Sequence, residues 1–204
     1  MGKNPDKKTA DLIMNIAFRL FVEKGYEATN LREIGTEVGI NASTIYFYYP
    51  SKKKLFFDVL HSVHKTHLEL LREKASEIPC TSDKEGMRQM FIKEIELVHL
   101  DSASYKLLLR YRLFPVMELA NEIREINEKY DGEEYQIWEP YLSGCFDRAE
   151  AENRLLYEGI KKLMDGIINE MLISGQAIRT QTLEKWWELY KDIIVGFFSE
   201  NIMR

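Results

Sequence analysis

Cysteine is scarce in this 204-residue chain, with Cys80 and Cys145 the whole complement. The pair has no metal-binding spacing and forms no disulfide framework, a usage that fits a reducing cytoplasm. Long apolar runs are missing too: none approaches the roughly 20 residues needed to span a bilayer, and the start, MGKNPDKK, has no hydrophobic signal core. Neither secretion nor membrane anchoring is therefore expected. There is no Ser-His-Asp order, phosphate-cradling glycine loop or HExxH, so the chain is not expected to be an enzyme or to need a cofactor. Internal repeats, low-complexity stretches and strand alternation are also lacking. With only 5 Pro and 11 Gly beside 45% hydrophobic residues, the chain reads as soluble, globular and all-α, with about nine helices.

What is present is concentrated in residues 29–54, TNLREIGTEVGINASTIYFYYPSKKK. Asn30 is placed to cap a short helix, with Glu33 reaching back three residues on as in a capping box, and Leu31, Ile34 and Val38 mark its buried side. Gly39 ends it, since glycine takes the left-handed conformation at little cost. Asn41 then caps a second short helix, Ala42 to Tyr48, anchored by Ile45. Tyr49-Pro50 stops that helix and Ser51 caps the next. Two short helices about a glycine turn, with small and aromatic side chains beside a lysine cluster, suit a DNA major groove. The net charge of −5 does not oppose this. Residues 1–54 carry nine Lys/Arg against six Asp/Glu, a net of +3, and residues 55–204 carry 19 against 27, a net of −8. The positive end is the one that would face DNA.

Flanked by IAFRLFVEKGYEAT (16–29) and SKKKLFFDVL (51–60), this segment closely resembles the DNA-binding domain of the tetracycline-repressor (TetR) family of bacterial transcription regulators. The resemblance covers about residues 10–60. Phe21 and Gly25-Tyr26 match the end of the family's first helix, Ile34 and Gly39-Ile40 the turn, and Tyr46, Tyr48 and Lys52 the recognition helix and its sequel. Three departures from the pattern are visible. Gly35 replaces the usual alanine and would loosen helix packing slightly. Leu31 stands where several members have a phosphate-contacting threonine, and Lys53-Lys54 add positive charge where acidic residues are common.

Helical patterning continues to the end of the chain. Asn4-Pro5 reads as the start of the first helix, whose core stripe is Ile13, Ile16, Ala17, Leu20 and Phe21. A long helix runs from Lys52 to near Pro79, another from Asp83 to Leu100, and a third over 104–114. Residues 116–147 read as helix broken at Asp131-Gly132 and Pro140. In residues 150–174, Leu156, Ile160, Leu163, Ile167 and Met171 share a stripe, with Gly159 and Gly166 permitting close helix approach. Residues 183–203, with Trp187, Tyr190, Ile194 and Phe197, are apolar over more than half the helix circumference, so a second surface must cover them. The TetR resemblance implies that these two helices pair with their copies as a four-helix bundle. It also implies a small-molecule effector among the middle helices, for which His64, Phe91, Tyr105, Tyr111, Trp138 and Tyr141 are the candidates. His61, His64 and His67 recur every three residues but bring no third ligand or carboxylate with them, so no metal site is expected. Glu133-Glu134 sit in a charged run and read as solvated surface.

These readings converge on a helix-turn-helix DNA-binding domain over residues 1–51 and a helical effector-binding and dimerisation domain over 52–204. The expected function is a homodimeric repressor of a palindromic operator in double-stranded DNA, released by a small molecule. Ala42, Ser43, Thr44 and Phe47 would meet base edges, and Arg32 a guanine or a phosphate. Tyr46, Tyr48 and Lys52 would hold phosphates, with Tyr46 alternatively a packing residue; Lys3, Lys7 and Lys8 would form a flexible arm on the backbone. Asn30 and Asn41 complete the set as the caps that hold the two helices. A ligand-independent regulator of the same fold, and a helical small-molecule-binding protein or enzyme without DNA binding, are the alternative readings.

Overall fold

The computed structural model describes residues 6–80, 84–144, 149–175 and 179–200, the side chains of 42 and 192–200 excepted. Lys3, Asn4-Pro5, Cys145 and the side chains of Ala42, Ile194 and Phe197 therefore lie outside the described residues. Among those residues the chain forms ten α-helices, a single 3-10 turn and no strand. The helices are α1 (Lys7–Glu23), α2 (Gly25–Ala28), α3 (Leu31–Val38), α4 (Ala42–Tyr48), α5 (Lys52–Ser76), α6 (Lys84–Leu100), α7 (Ser102–Leu113), α8 (Ala120–Ser143), α9 (Glu150–Ser174) and α10 (Thr180–Glu200). The helix beyond the expected nine is α2, a single turn that restarts the chain after Gly25, whose φ of 84° ends α1. None of the helices is long and apolar enough to cross a membrane.

Two compact units result, Met1–Thr66 with Ala103–Asn127, and His67–Ser102 with Glu128–Arg204. The first unit is built on aromatic rings. Phe56 of α5 meets Phe21, Tyr26 and Tyr111 edge-on at 5.2, 4.9 and 4.7 Å between centroids. Ile13, Ala17, Leu20, Ile34 and Ile45 close the same core. The backbone N–H of Tyr26 donates to the Tyr111 hydroxyl at 2.7 Å, which fastens α2 to α7.

In the second unit α6 packs on α9 and α10, with Phe91 against Trp187 at 5.5 Å. The expected break in residues 116–147 does not occur: α8 runs unbroken through Gly132 and Pro140. A glycine in a helix costs about 1 kcal/mol and a proline about 3. Trp138, Tyr135 and Leu142 are fully buried on the same helix, each contributing about 1.5–3 kcal/mol, so burial outweighs both breakers.

Candidate nucleic-acid interface

Asn30 caps α3 as expected, its Oδ1 accepting from the Glu33 N–H at 2.8 Å. The reciprocal half of the capping box is absent, because the Glu33 carboxylate pairs instead with the Lys24 ammonium. At the other end of α3 the Gly39 N–H donates to Thr36 O at 3.1 Å and the Ile40 N–H to Gly35 O at 2.9 Å, with Gly39 at φ 80°. This paired arrangement satisfies the last carbonyls of α3 and sets the turn into α4. Gly35 has the opposite effect from the one expected of it. A Cβ there would stand 3.2 Å from Ile40 O, so the bare glycine allows the turn to close tightly on α3.

Asn41 Oδ1 accepts from the Thr44 N–H at 2.8 Å, the Thr44 hydroxyl at 2.8 Å and the Ser43 hydroxyl at 2.6 Å. One carbonyl oxygen therefore organises the whole first turn of α4. Ile45 is fully buried and fixes the helix rotationally. At about 100° per residue, Ser43 and Phe47 lie on the side of α4 opposite Ile45, with Tyr46 beside them. Phe47 is 57% and Tyr46 52% exposed. Tyr46 is thus free of the core, which removes its packing alternative, while Tyr48 is half-buried with its ring against Phe47 at 5.7 Å. Arg32 is exposed on α3.

Lys52 departs from its expected role. Its ammonium donates to Tyr26 O at 2.8 Å and Thr29 O at 3.0 Å, and sits 4.2 Å from the centre of the Tyr26 ring. Tyr26 O already accepts from the Thr29 N–H at 3.3 Å, and Lys52 adds a charged donor to it and to Thr29 O at the end of α2. The positive charge on the surface comes from other residues. Lys53 pairs with Glu122 at 2.6 Å, Lys54 with Asp58, and Arg19 with Glu23 and Glu37. Exposed pairs of this kind contribute at most about 1 kcal/mol, so an incoming phosphate can replace the carboxylate.

The residues expected at an effector pocket divide between the two units. Tyr111 is locked in the first unit's core, and His64 and half-buried Tyr105 belong to that unit as well. In the second unit Phe91 lies against Trp187. Trp138 donates to Glu94 at 2.6 Å, and Tyr141 donates to Ala75 O at 2.6 Å, holding the end of α5. Tyr141 also lines an open cleft of the second unit, with Arg72, Glu133 and Gln136.

Of the expected interface residues, Leu156, Ile160, Ile167 and Trp187 are buried inside their own protomer. The most apolar stripe of α9 was absorbed by its own domain, as was Trp187 of α10. Leu163 and Tyr190 are half-buried at the margin. Among the described residues of these two helices, the large apolar side chains that face outward are Leu155, Ile173 and Leu189, at 54, 83 and 62% exposure.

A buried polar cluster in the second unit was not expected. Glu134, read as solvated, is 5% exposed, and Glu94 2%. The Tyr157 hydroxyl donates to Glu134 Oε1 at 2.7 Å, the Lys161 ammonium pairs with the same oxygen, and His67 Nε2 lies 3.5 Å from Oε2. Burial, with the nearby charge of Glu134, pushes the Glu94 carboxyl up to about 7. Burial also opposes ionisation of Glu134, but Lys161 and His67 outweigh it and hold that carboxyl well below the usual range. A sequence signal existed: His67, Glu94, Glu134 and Lys161 each occupy a position on an otherwise apolar stripe, one helical turn from buried neighbours such as Leu71, Met90, Trp138 and Tyr157.

Against known proteins, residues 13–59 match the sequence profile of "Bacterial regulatory proteins, tetR family". The chain is 31% identical over 202 residues to the uncharacterized HTH-type transcriptional regulator YuxN of Bacillus subtilis (strain 168), covering 96% of this chain and 66% of the relative. It is 24% identical over 133 residues to IcaR of Staphylococcus epidermidis, the HTH-type negative transcriptional regulator of the biofilm operon icaADBC, covering 64% and 69%. The chain thus spans somewhat less than two thirds of YuxN's length. Its fold superposes on the fatty acid degradation regulator FadR of Bacillus halodurans with a TM-score of 0.66 at 18% identity, covering 93% and 96%. The match of residues 13–59, which carry the α3–α4 turn described above, and the likeness over 96% of this chain to an HTH-type regulator agree: the chain belongs to the tetR family of bacterial regulatory proteins.

Proposed function

We propose that the protein represses transcription by binding a palindromic operator as a homodimer, and that a small molecule releases it. The observation that carries the DNA-reading role is the orientation of α4, with Ile45 fully buried and Ser43, Tyr46 and Phe47 on the outer sides of a helix whose first turn is capped by Asn41. Phe47 suits apolar contact with a thymine methyl group and Ser43 a hydrogen bond to a base edge. Tyr46, Arg32 and Lys53 stand beside them for phosphates, with Asn30, Asn41, Thr44, Tyr48 and Lys52 holding the frame. Ala42 retains its expected place at the start of the reading helix.

Dimerisation is supported by the outward sides of α9 and α10. At about 100° per residue Leu155, Gly166 and Ile173 share one side of α9, and a Cβ at Gly166 would meet nothing within 4 Å of its own chain. A bare, apolar-flanked helix side can be closely approached by a second copy. Twofold pairing would place two α4 helices on inverted half-sites about one helical turn or somewhat more apart. The effector, apolar or aromatic, would bind in the second unit. From there α5 could carry its presence to the DNA-reading helices, because it contributes Lys52–Thr66 to the first unit and His67–Ser76 to the second.

Selecting bound duplexes from a random pool tests this reading. A palindromic consensus is expected, and Phe47→Ala should shift the preferred base at one position per half-site and cost about 1–3 kcal/mol on the wild-type consensus. Recovery of the same consensus with undiminished affinity would remove α4 from recognition.

A further inference from the structure

We propose that His67, Glu94 and Glu134 form a binding site for one divalent first-row transition-metal ion, with Lys161 as the cation that the ion displaces. Nitrogen and oxygen donors of the three residues lie within 4.8 Å of one another, and all three side chains are buried. Bonds of about 2.1 Å from one ion put its donors about 3–4 Å apart. His67 Nε2 and Glu134 Oε2, at 3.5 Å, already have that spacing, so the remaining closure is about an ångström of side-chain movement.

The surrounding groups orient both carboxylates as ligands. Trp138 Nε1 holds Glu94 Oε2 at 2.6 Å, and Tyr157 holds Glu134 Oε1 at 2.7 Å. Each carboxylate is therefore fixed through one oxygen by a neutral donor, the kind of outer support that keeps a metal ligand in place. The other oxygen of each is turned to a cationic or ligating group: Glu94 Oε1 to Lys161 at 3.9 Å and Glu134 Oε2 to His67 at 3.5 Å.

Charge counting points the same way. Two buried carboxylates face Lys161 and the His67 imidazole, and at 3.9 Å the lysine ammonium is beyond hydrogen-bonding distance of Glu94. A divalent ion at the centre would balance both carboxylates. Lys161, whose side chain is 17% exposed, has an alternative partner within electrostatic reach in Asp165, one turn along α9. Imidazole with two carboxylates suits Zn²⁺, Mn²⁺ or Fe²⁺ better than Mg²⁺, which prefers oxygen alone and keeps its waters.

The test is isothermal titration of chelator-treated, full-length protein with ZnCl2, MnCl2 and MgCl2, in a Cys80→Ser/Cys145→Ser background so that thiols hold none of the zinc. One Zn²⁺ or Mn²⁺ per chain at micromolar or tighter Kd is expected, with Mg²⁺ at least about a hundredfold weaker. Glu134→Gln and His67→Gln should each weaken uptake by about a hundredfold or more, beyond the 10–100-fold typical of outer-shell changes. Lys161→Met, which removes the competing ammonium, should tighten it about tenfold. The protein without substitutions at the cluster decides the matter even if those variants fail to fold: pulsed electron paramagnetic resonance of its Mn²⁺ complex should show coupling to an imidazole nitrogen. Absence of transition-metal uptake at millimolar ion, a bound Mn²⁺ with no nitrogen coupling, or Lys161→Met binding no tighter would each overturn the proposal and leave the cluster a buried ion-pair network.

Discussion

Lys52 separates two ways a cation can serve a DNA-binding domain, and Lys52→Met distinguishes them. Methionine keeps the length of the stem and removes the ammonium, so Tyr26 O and Thr29 O lose donors at 2.8 and 3.0 Å and the Tyr26 ring loses a cation at 4.2 Å. A hydrogen bond to a charged group is worth about 1.5–3 kcal/mol when well shielded. Lys52 is half-buried, so two such bonds are discounted for solvent screening to about 2 kcal/mol in total. For a chain of this size that corresponds to a fall in Tm of about 4–8 °C. A phosphate contact behaves differently: losing it lowers the slope of log K against log salt by about 0.9 and leaves the folded state largely untouched. Urea and thermal unfolding, set beside operator binding by fluorescence anisotropy over a salt series, measure both quantities on one preparation. The structure requires lost stability with an unchanged salt slope. Wild-type stability with a slope reduced by about one would mean that the lysine leaves the α2 carbonyls for DNA, and that the reasoning from its hydrogen bonds is wrong.

Tyr111→Phe keeps the ring against Phe56 but leaves the buried Tyr26 N–H without its acceptor, and should cost about 1–3 kcal/mol in the urea midpoint; an unchanged midpoint would show that the 2.7 Å bond contributes nothing net. For the dimer, Leu189→Glu should convert the protein to monomers in analytical ultracentrifugation with its helical content intact. Leu156→Ala should instead lower stability by about 2–5 kcal/mol without changing the dimer constant, because Leu156 is fully buried in its own protomer and Leu189 is not.

The parts of the first unit that could be read from sequence are those determined by neighbours in the chain. Asn30, Gly39, Asn41 and Ser51 act within three residues of themselves, through a cap or a left-handed φ, and such local chemistry carries its own signature. Lys52 was misread for the complementary reason. Its partners are Tyr26 and Thr29, more than twenty positions back, and nothing near Lys52 announces the carbonyls at the end of α2. Leu156, Ile160, Ile167 and Trp187 went to the protomer's own core for a physical reason as well. A helix gives its most apolar side to its own core, because that contact is intramolecular and already formed, so the side left for a second copy is the next most apolar one. Leu155, Ile173 and Leu189 follow from that rule, and Leu156 and Trp187 do not.

The same rule, turned inward, bears on the cluster of the second unit. His67, Glu94, Glu134 and Lys161 come from α5, α6, α8 and α9, one from each helix, so no window of sequence contains two of them. Each alone looks like an interruption of an apolar stripe. An isolated charge at such a position costs several kcal/mol, which burial of its neighbours must offset. Four interruptions meeting at one place change the account, because each charge now has partners and the penalty is shared. Replacing all four with well-packed apolar residues would be neutral or stabilising by general experience with buried ion pairs. Stability alone therefore does not explain why this chain places ionisable groups at four largely apolar helix faces. A bound cation does, since it converts two costly carboxylates into ligands and makes the donor spacing of the cluster functional.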